Sequence, residues 1–202
     1  MFTPKTSRSA FTLVELLTVI AIIAVLMGIL FPTIGAAIES AKKTQAKNDE
    51  LQIVNAVKAY YTEYGKYPTA STSDTEVADT GPLLSELRIP SGFTPTMNPR
   101  KIVFLEVPDA KNYGQANKEK SGISKLSGKW LDPWGNPYKV MLDADYDNKL
   151  ANPYSQNAGN PGTPPNGGLS TGVIAWSLGR DGKGGTGDKT TGDAKDDVIS
   201  WQ

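Results

Sequence analysis

The sequence predicts an α+β protein in which one long N-terminal helix, apolar enough over its first half to span a membrane, packs further along on a small antiparallel sheet. Three observations carry that prediction. Residues 16–31 read LLTVIAIIAVLMGILF with only Thr18 and Gly28 as breaks; apolar residues then recur every three or four positions as far as Tyr64; and beyond residue 100 short apolar runs alternate with turn-forming residues.

Composition narrows the function. At 202 residues with 39% hydrophobic content, one ordinary domain and an appendage are the default. The formal net charge is zero, so no basic face points to nucleic acid. The absence of cysteine and histidine excludes disulfides, thiolate nucleophiles, imidazole bases and the usual zinc ligands. Hard cations held by oxygen remain open.

The first ten residues, MFTPKTSRSA, are polar and carry Lys5 and Arg8 but no acid. With FTLVE, the apolar run that follows is long enough as a helix to cross a bilayer. Lys5 and Arg8 before the span, with Glu39 after it, fit an N-terminus left in the cytoplasm, although Lys42, Lys43 and Lys47 weaken that asymmetry. A secretory signal peptide cut after Gly35, Ala36 and Ala37 is the plainer alternative, but the stretch is long and the helical pattern continues past that cut. Glu15 is the anomaly, because an ionised carboxylate at hydrocarbon depth needs a partner.

Pro32 is expected to end or kink the first helical stretch, since it has no amide hydrogen. After it, Ile34, Ile38, Ala41, Leu51, Val54, Val57, Tyr61 and Tyr64 form one apolar stripe on a polar helix. The part from Leu51 to Tyr64 is expected to pack on its own domain and the earlier part to contact neighbours. Gly65 and Pro68 close the helix. Residues 69–82 read as a loop, Leu83, Leu84 and Leu87 as a short helix, and Ile102 to Val107 as a strand, followed by a polar surface insertion from Asp109 to Lys129. Trp130 to Tyr138 reads as an aromatic-anchored hairpin leading into the strand Tyr138, Val140, Leu142. Asn152 to Gly168 is rich in Asn, Pro and Gly and is expected to add little core; Val173–Ser177 and Val198, Ile199 and Trp201 complete an antiparallel sheet.

Two acidic stretches are candidate cation sites. In the first, Ser177 to Asp188 is dominated by glycines and acids and is followed by Asp193, Asp196 and Asp197, the chemistry that calcium prefers. In the second, Asp143, Asp145, Asp147 and Asn148 imitate the start of a calcium-binding helix-loop-helix loop. That stretch has Tyr154 where the closing acid belongs and no glycine at the sharp turn, so a charged hairpin turn is the reading.

The run Ala10, Phe11, Thr12, Leu13, Val14, Glu15 resembles the processing site of type IV pilins and type II secretion pseudopilins. The resemblance extends to YYTEYGKYP at residues 60–68, to DPWGNPY at residues 132–138 and to SLGRDGKGG at residues 177–185. It implies a pilin-like fold, with residues 1–10 as leader, 11–31 as transmembrane and assembly helix, 32–67 as amphipathic helix and 68–202 as globular domain. It implies that a prepilin peptidase cuts between Ala10 and Phe11 and methylates the new amine. The family usually has glycine before the cut, and Ala10 is the smallest replacement. Glu15 would then pair with the Phe11 amine of a neighbouring copy, and Pro32 would mark a region that loses helicity on assembly. Calcium would be held by Asp181 and a later aspartate, Asp188, Asp196 or Asp197, with carbonyls from Leu178, Lys183 and Thr186. The implied role is structural and not enzymatic: a fibre subunit, specifically the major pseudopilin of a type II secretion system, anchored by one span in the inner membrane with its C-terminal domain in the periplasm. Its implied partners are copies of itself, minor pseudopilins and the inner-membrane assembly platform. A minor pilin-like adhesin or substrate-binding subunit, using the insertions around Asn112 and Asn160, is the second reading.

Overall fold

The computed structural model describes residues 12–74, 76, 77, 79–154, 168–184 and 192–201, with Pro32 described by its backbone only. The chain falls into two compact units, one ending at Ala41 and the other beginning at Lys42.

Helix α1, Leu13–Tyr64, supplies the described part of the first unit from Leu13 onward and continues into the second. It runs through Pro32, which corrects the expectation that the proline ends the first stretch. A proline removes one rung of the hydrogen-bond ladder. The helix continues on both sides of it, and the Thr33 hydroxyl donates to the Leu30 carbonyl at 2.8 Å.

In the second unit the inward stripe of α1 differs from the expected one. Ala46, Glu50, Ile53, Val57 and Tyr60 are buried together, whereas Leu51 and Tyr61 are each 38% exposed. A purely apolar pattern misplaces the stripe because one of its members, Glu50, is an acid. The helix closes as expected at Gly65, whose φ of 65° is left-handed and whose amide donates to Tyr61 at 2.8 Å.

Helix α2, Thr80–Arg88, contains the predicted leucines and begins inside the expected loop, where the Asp79 side chain accepts from the Gly81 amide and caps it. Ile102 to Val107 forms no strand. The amides of Phe104 and Leu105 instead donate to the Leu87 carbonyl at the end of α2. The preceding loop is pinned by buried Glu86, which accepts from the amides of Thr96, Met97 and Asn98. The stretch Asp109 to Lys129 is more than surface: it contains strand β1, Gly122–Ile123, which pairs antiparallel with β2, Trp130–Leu131, and it buries Glu119 and Ser124.

Strands β3, Lys139–Leu142, β4, Val173–Ser177, and β5, Val198–Ile199, form the predicted antiparallel sheet in that order. Side chains alternate across it. Val140, Leu142, Val173 and Ala175 join the core built on α1 and α2, while Met141, Ile174, Trp176 and Ile199 join a second cluster with Leu150 and Tyr154. Tyr154 lies within the stretch expected to add little core, yet it is 1% exposed. The sheet is therefore covered on both faces, which is why β4 reads as the unbroken apolar run VIAW.

Candidate functional site

From Leu13 to Phe31 every large apolar side chain of α1 is exposed, and the same holds for Ile34 and Ile38. This helix is long and apolar enough to cross a membrane. Its first turn is organised by a reciprocal cap that the sequence reading missed. The Thr12 amide and hydroxyl donate to Glu15 Oε2 at 2.8 and 2.7 Å, and the Glu15 amide donates to Thr12 Oγ1 at 3.3 Å. The signal was present as Thr-x-x-Glu directly before an apolar run, the capping-box pattern. Within one chain, then, Glu15 already has a local partner. Ala10 and Phe11 lie outside the described residues.

The C-terminal loop follows β4. Asp181, Asp196 and Asp197 each place a carboxylate oxygen within 4.8 Å of the other two. The loop turns through Gly179 and Gly182, whose φ angles of 62° and 66° suit glycine, and a Cβ at Gly179 would meet the Asp196 carbonyl oxygen at 2.5 Å. That close approach lets Asp196 Oδ2 accept from the amides of Arg180 and Asp181 at 2.5 and 3.0 Å. Buried Asp197 accepts from the Tyr154 hydroxyl at 2.7 Å. Asp181 Oδ1 accepts from the Lys183 amide at 2.8 Å. Leu178 begins the loop with its side chain packed against the second core cluster, and Lys183 is exposed. Thr186 and Asp188 lie outside the described residues.

The aromatic hairpin grips this loop. Asp132 Oδ1 gathers the amides of Trp134, Gly135 and Asn136 at 2.7–2.9 Å and so forms the turn, while its Oδ2 accepts from the Ser177 hydroxyl at 2.6 Å. Ser177 Oγ in turn accepts from the Gly179 amide at 3.0 Å, and Asn136 Nδ2 donates to the Gly179 carbonyl at 2.7 Å. The two phrases read separately in the sequence, DPWGN and SLGRDG, are thus one hydrogen-bonded unit.

Helix α1 adds two acids behind that unit. Glu50 Oε1 accepts from the Ser177 amide at 3.1 Å, and Asp49 Oδ2 accepts from the Tyr138 hydroxyl at 2.8 Å. Burial pushes the Glu50 carboxyl up to about 9 and that of Asp49 up to about 6, so Glu50 is protonated at neutral pH. Burial also raises Asp132. By sequence Asp49 and Glu50 belong with the polar residues between the members of the apolar stripe, and their burial corrects that; the one signal for it is that Glu50 shares helical spacing with Ile53, Val57 and Tyr60.

The family described as "Prokaryotic N-terminal methylation motif" matches residues 5–31. Three relatives named "Type II secretion system core protein G" are similar over most of the chain. That of Pseudomonas aeruginosa is 27% identical over 137 residues, covering 68% of this chain and 75% of the relative. That of Aeromonas hydrophila is 24% identical over 142 residues, covering 70% and 78%. That of Escherichia coli is 29% identical over 139 residues, covering 69% and 75%. No solved structure matches the chain. Joined to the long N-terminal helix and the small antiparallel sheet, these matches make the chain similar in sequence and layout to the type II secretion core protein G relatives, with the methylation motif at its N-terminal end.

Proposed function

We propose that the chain is the major pseudopilin of a type II protein secretion system, a structural and not a catalytic subunit. One observation carries this reading: a methylation motif at residues 5–31 overlaps the start of a helix whose large apolar side chains, from Leu13 to Ile38, all lie exposed. Such a surface needs lipid before assembly and other copies of the same helix after it. A prepilin peptidase removes residues 1–10 by cutting between Ala10 and Phe11. The subunit then rests in the inner membrane with its C-terminal domain in the periplasm, and the assembly platform and minor pseudopilins receive it into the fibre. Glu15 exchanges its Thr12 partner for the Phe11 amine of a neighbouring copy, and the Pro32 region gives way as helices pack.

The C-terminal loop fits calcium by its donor set, three carboxylates and glycine-shaped main chain with no nitrogen or sulfur ligand. Asp181, Asp196 and Asp197 would hold the ion, with the carbonyls of Leu178 and Lys183 as further donors and Thr186 and Asp188 as remaining candidates. Bound calcium would offset the repulsion among these acids and stabilise the fold by mass action.

The test is expression beside a prepilin peptidase and secretion machinery. Mass spectrometry of the membrane fraction is expected to find a chain beginning at methylated Phe11, and electron microscopy to find fibres. A chain that keeps residues 1–10 and forms no fibre overturns the reading. A second reading, a minor pilin-like adhesin or substrate-binding subunit, is favoured by a 710 Å³ cleft lined in part by Asn112, Asn117, Glu119, Trp134 and Asn136. Filling that cleft with Asn117→Trp would abolish adhesion on this reading and leave secretion intact on the first.

A further inference from the structure

A second acidic group lies at the other end of the sheet. Asp74, Asp143, Asp145 and Asp147 each bring a carboxylate oxygen within 4.8 Å of the other three. As a linear stretch, Asp143 to Asn148 lacks the closing acid and the glycine of a helix-loop-helix site. The fold supplies an acid from elsewhere. Glu76 bridges Met141 in antiparallel fashion, the Val77 amide donates to the Val140 carbonyl at 2.8 Å, and Lys139 Nζ meets Glu76 Oε1 at 2.6 Å. Extending that register by two residues sets Asp74 opposite Asp143. The amides of Ala144 and Asp145 fix it there by donating to Asp74 Oδ1 at 2.6 and 3.3 Å.

Like charges directly opposed across a strand pair destabilise it. One buried atom adds a second, independent sign. Asp143 is 3% exposed, and its Oδ2 accepts from the Asn148 amide at 3.0 Å, but its buried Oδ1 has no hydrogen-bond partner among the described residues. Buried carboxylate oxygens are almost always satisfied, and leaving one unmet is costly. A cation seated among the four carboxylates answers both the repulsion and the orphaned oxygen.

We propose that Asp74, Asp143, Asp145 and Asp147 bind one divalent cation of the calcium type, at a site separate from the C-terminal loop. The donors are hard oxygens only, and the chain has no histidine or cysteine to recruit a softer metal. The bound ion staples the segment around Asp74 to the end of β3, closing the sheet edge next to the second core cluster. Its affinity belongs to the range of extracellular modules, with Kd on the order of 10⁻⁴ to 10⁻³ M.

The test uses the full chain in detergent micelles and calcium titrated by calorimetry, starting from Asp181→Ala so that the C-terminal loop is disabled. That variant is expected to bind one calcium per chain. Adding Asp145→Asn and Asp147→Asn is expected to weaken binding at least tenfold, and either change alone to weaken it measurably. Both side chains are exposed, so the fold without calcium is expected to be unaffected, as far-ultraviolet circular dichroism will report. Unchanged affinity after both replacements places the ion elsewhere and overturns the proposal. So does an Asp181→Ala chain that binds no calcium at millimolar concentration.

Discussion

The two halves of helix α1 invert the usual relation between composition and burial. From Leu13 to Ile38 the side chains are overwhelmingly apolar and exposed, Ile23 at 47% for example. From Ala46 to Tyr60 charged residues are common, yet Glu50 and Ile53 are fully buried. Length and pattern explain both. A continuous apolar surface cannot be satisfied within one small domain and calls for lipid or neighbouring helices, whereas a helix facing its own core needs only one inward stripe. The difference teaches that one helix meets two environments, with an apolar surface left for lipid or other helices before about residue 40 and a stripe folded into its own core after it.

The sharpest break of this comparison is at Glu15. Glu15→Ala is expected to leave the chain in the membrane and abolish fibres, read by membrane fractionation and by the yield of sheared fibres. Glu15→Gln separates the local role from the intermolecular one, because a glutamine completes the Thr12 cap but carries no charge for a neighbouring amine. Fibres from Glu15→Gln at the normal yield would reduce Glu15 to a helix cap. Next in size is a matched pair of isoleucines. Ile53→Ala is expected to destabilise the folded domain by about 2–5 kcal/mol through lost burial and a cavity. Ile23→Ala is expected to leave its melting temperature unchanged and lower fibre yield. Equal melting shifts in the two variants would erase the distinction between the halves.

Much of this division was legible in the sequence. The span, the glycine stop at Gly65, the aromatic hairpin and all three strands of the main sheet follow from local pattern, because hydrophobic period and turn residues act over a few positions. What escaped is polar and long-range. Glu50 and Asp49 sit on the buried stripe because Ser177 and Tyr138, more than 80 residues away, supply their hydrogen bonds. Asp74 meets Asp143 only because the loop after α1 returns to the edge of β3. The run Ile102 to Val107 has strand composition but is captured by the end of α2, a choice no local propensity reveals. At the C-terminal loop, the pairing of Asp181 with a later aspartate was legible, and that both Asp196 and Asp197 approach it was not.

A smaller effect is expected at that loop. If calcium completes it, saturating calcium raises the stability of the detergent-solubilised chain by roughly 2–3 kcal/mol at a hundredfold excess over Kd. Asp181→Ala is expected to remove most of that gain, read as the difference in melting temperature with calcium and with chelator. The second acidic site would supply whatever gain survives, so adding Asp145→Asn and Asp147→Asn to Asp181→Ala should reduce it further. A melting curve that ignores calcium in the unaltered chain would leave both loops as charged turns.

The effect that is smallest over a single pH unit lies in the buried acids of the folding half. Their carboxyls are raised in the folded chain, Glu50 to about 9 and Asp49 to about 6, from 4.5 and 3.8. A raised acid binds its proton more tightly when folded, so its contribution is fully present below the ordinary carboxylate range and is lost as pH rises. For Asp49 the loss is complete near pH 6, and for Glu50 it continues to about pH 9. Between pH 6 and 9, stability measured with chelator present is therefore expected to fall by on the order of 1 kcal/mol per pH unit. Glu50→Gln keeps the shape and an oxygen to accept from the Ser177 amide but cannot ionise, so it is expected to flatten that slope and to raise stability most at the alkaline end. A variant that retains the full slope would mean that Glu50 is already ionised at neutral pH, and that the folding half of α1 buries a charge beside Lys47 where we place a protonated acid.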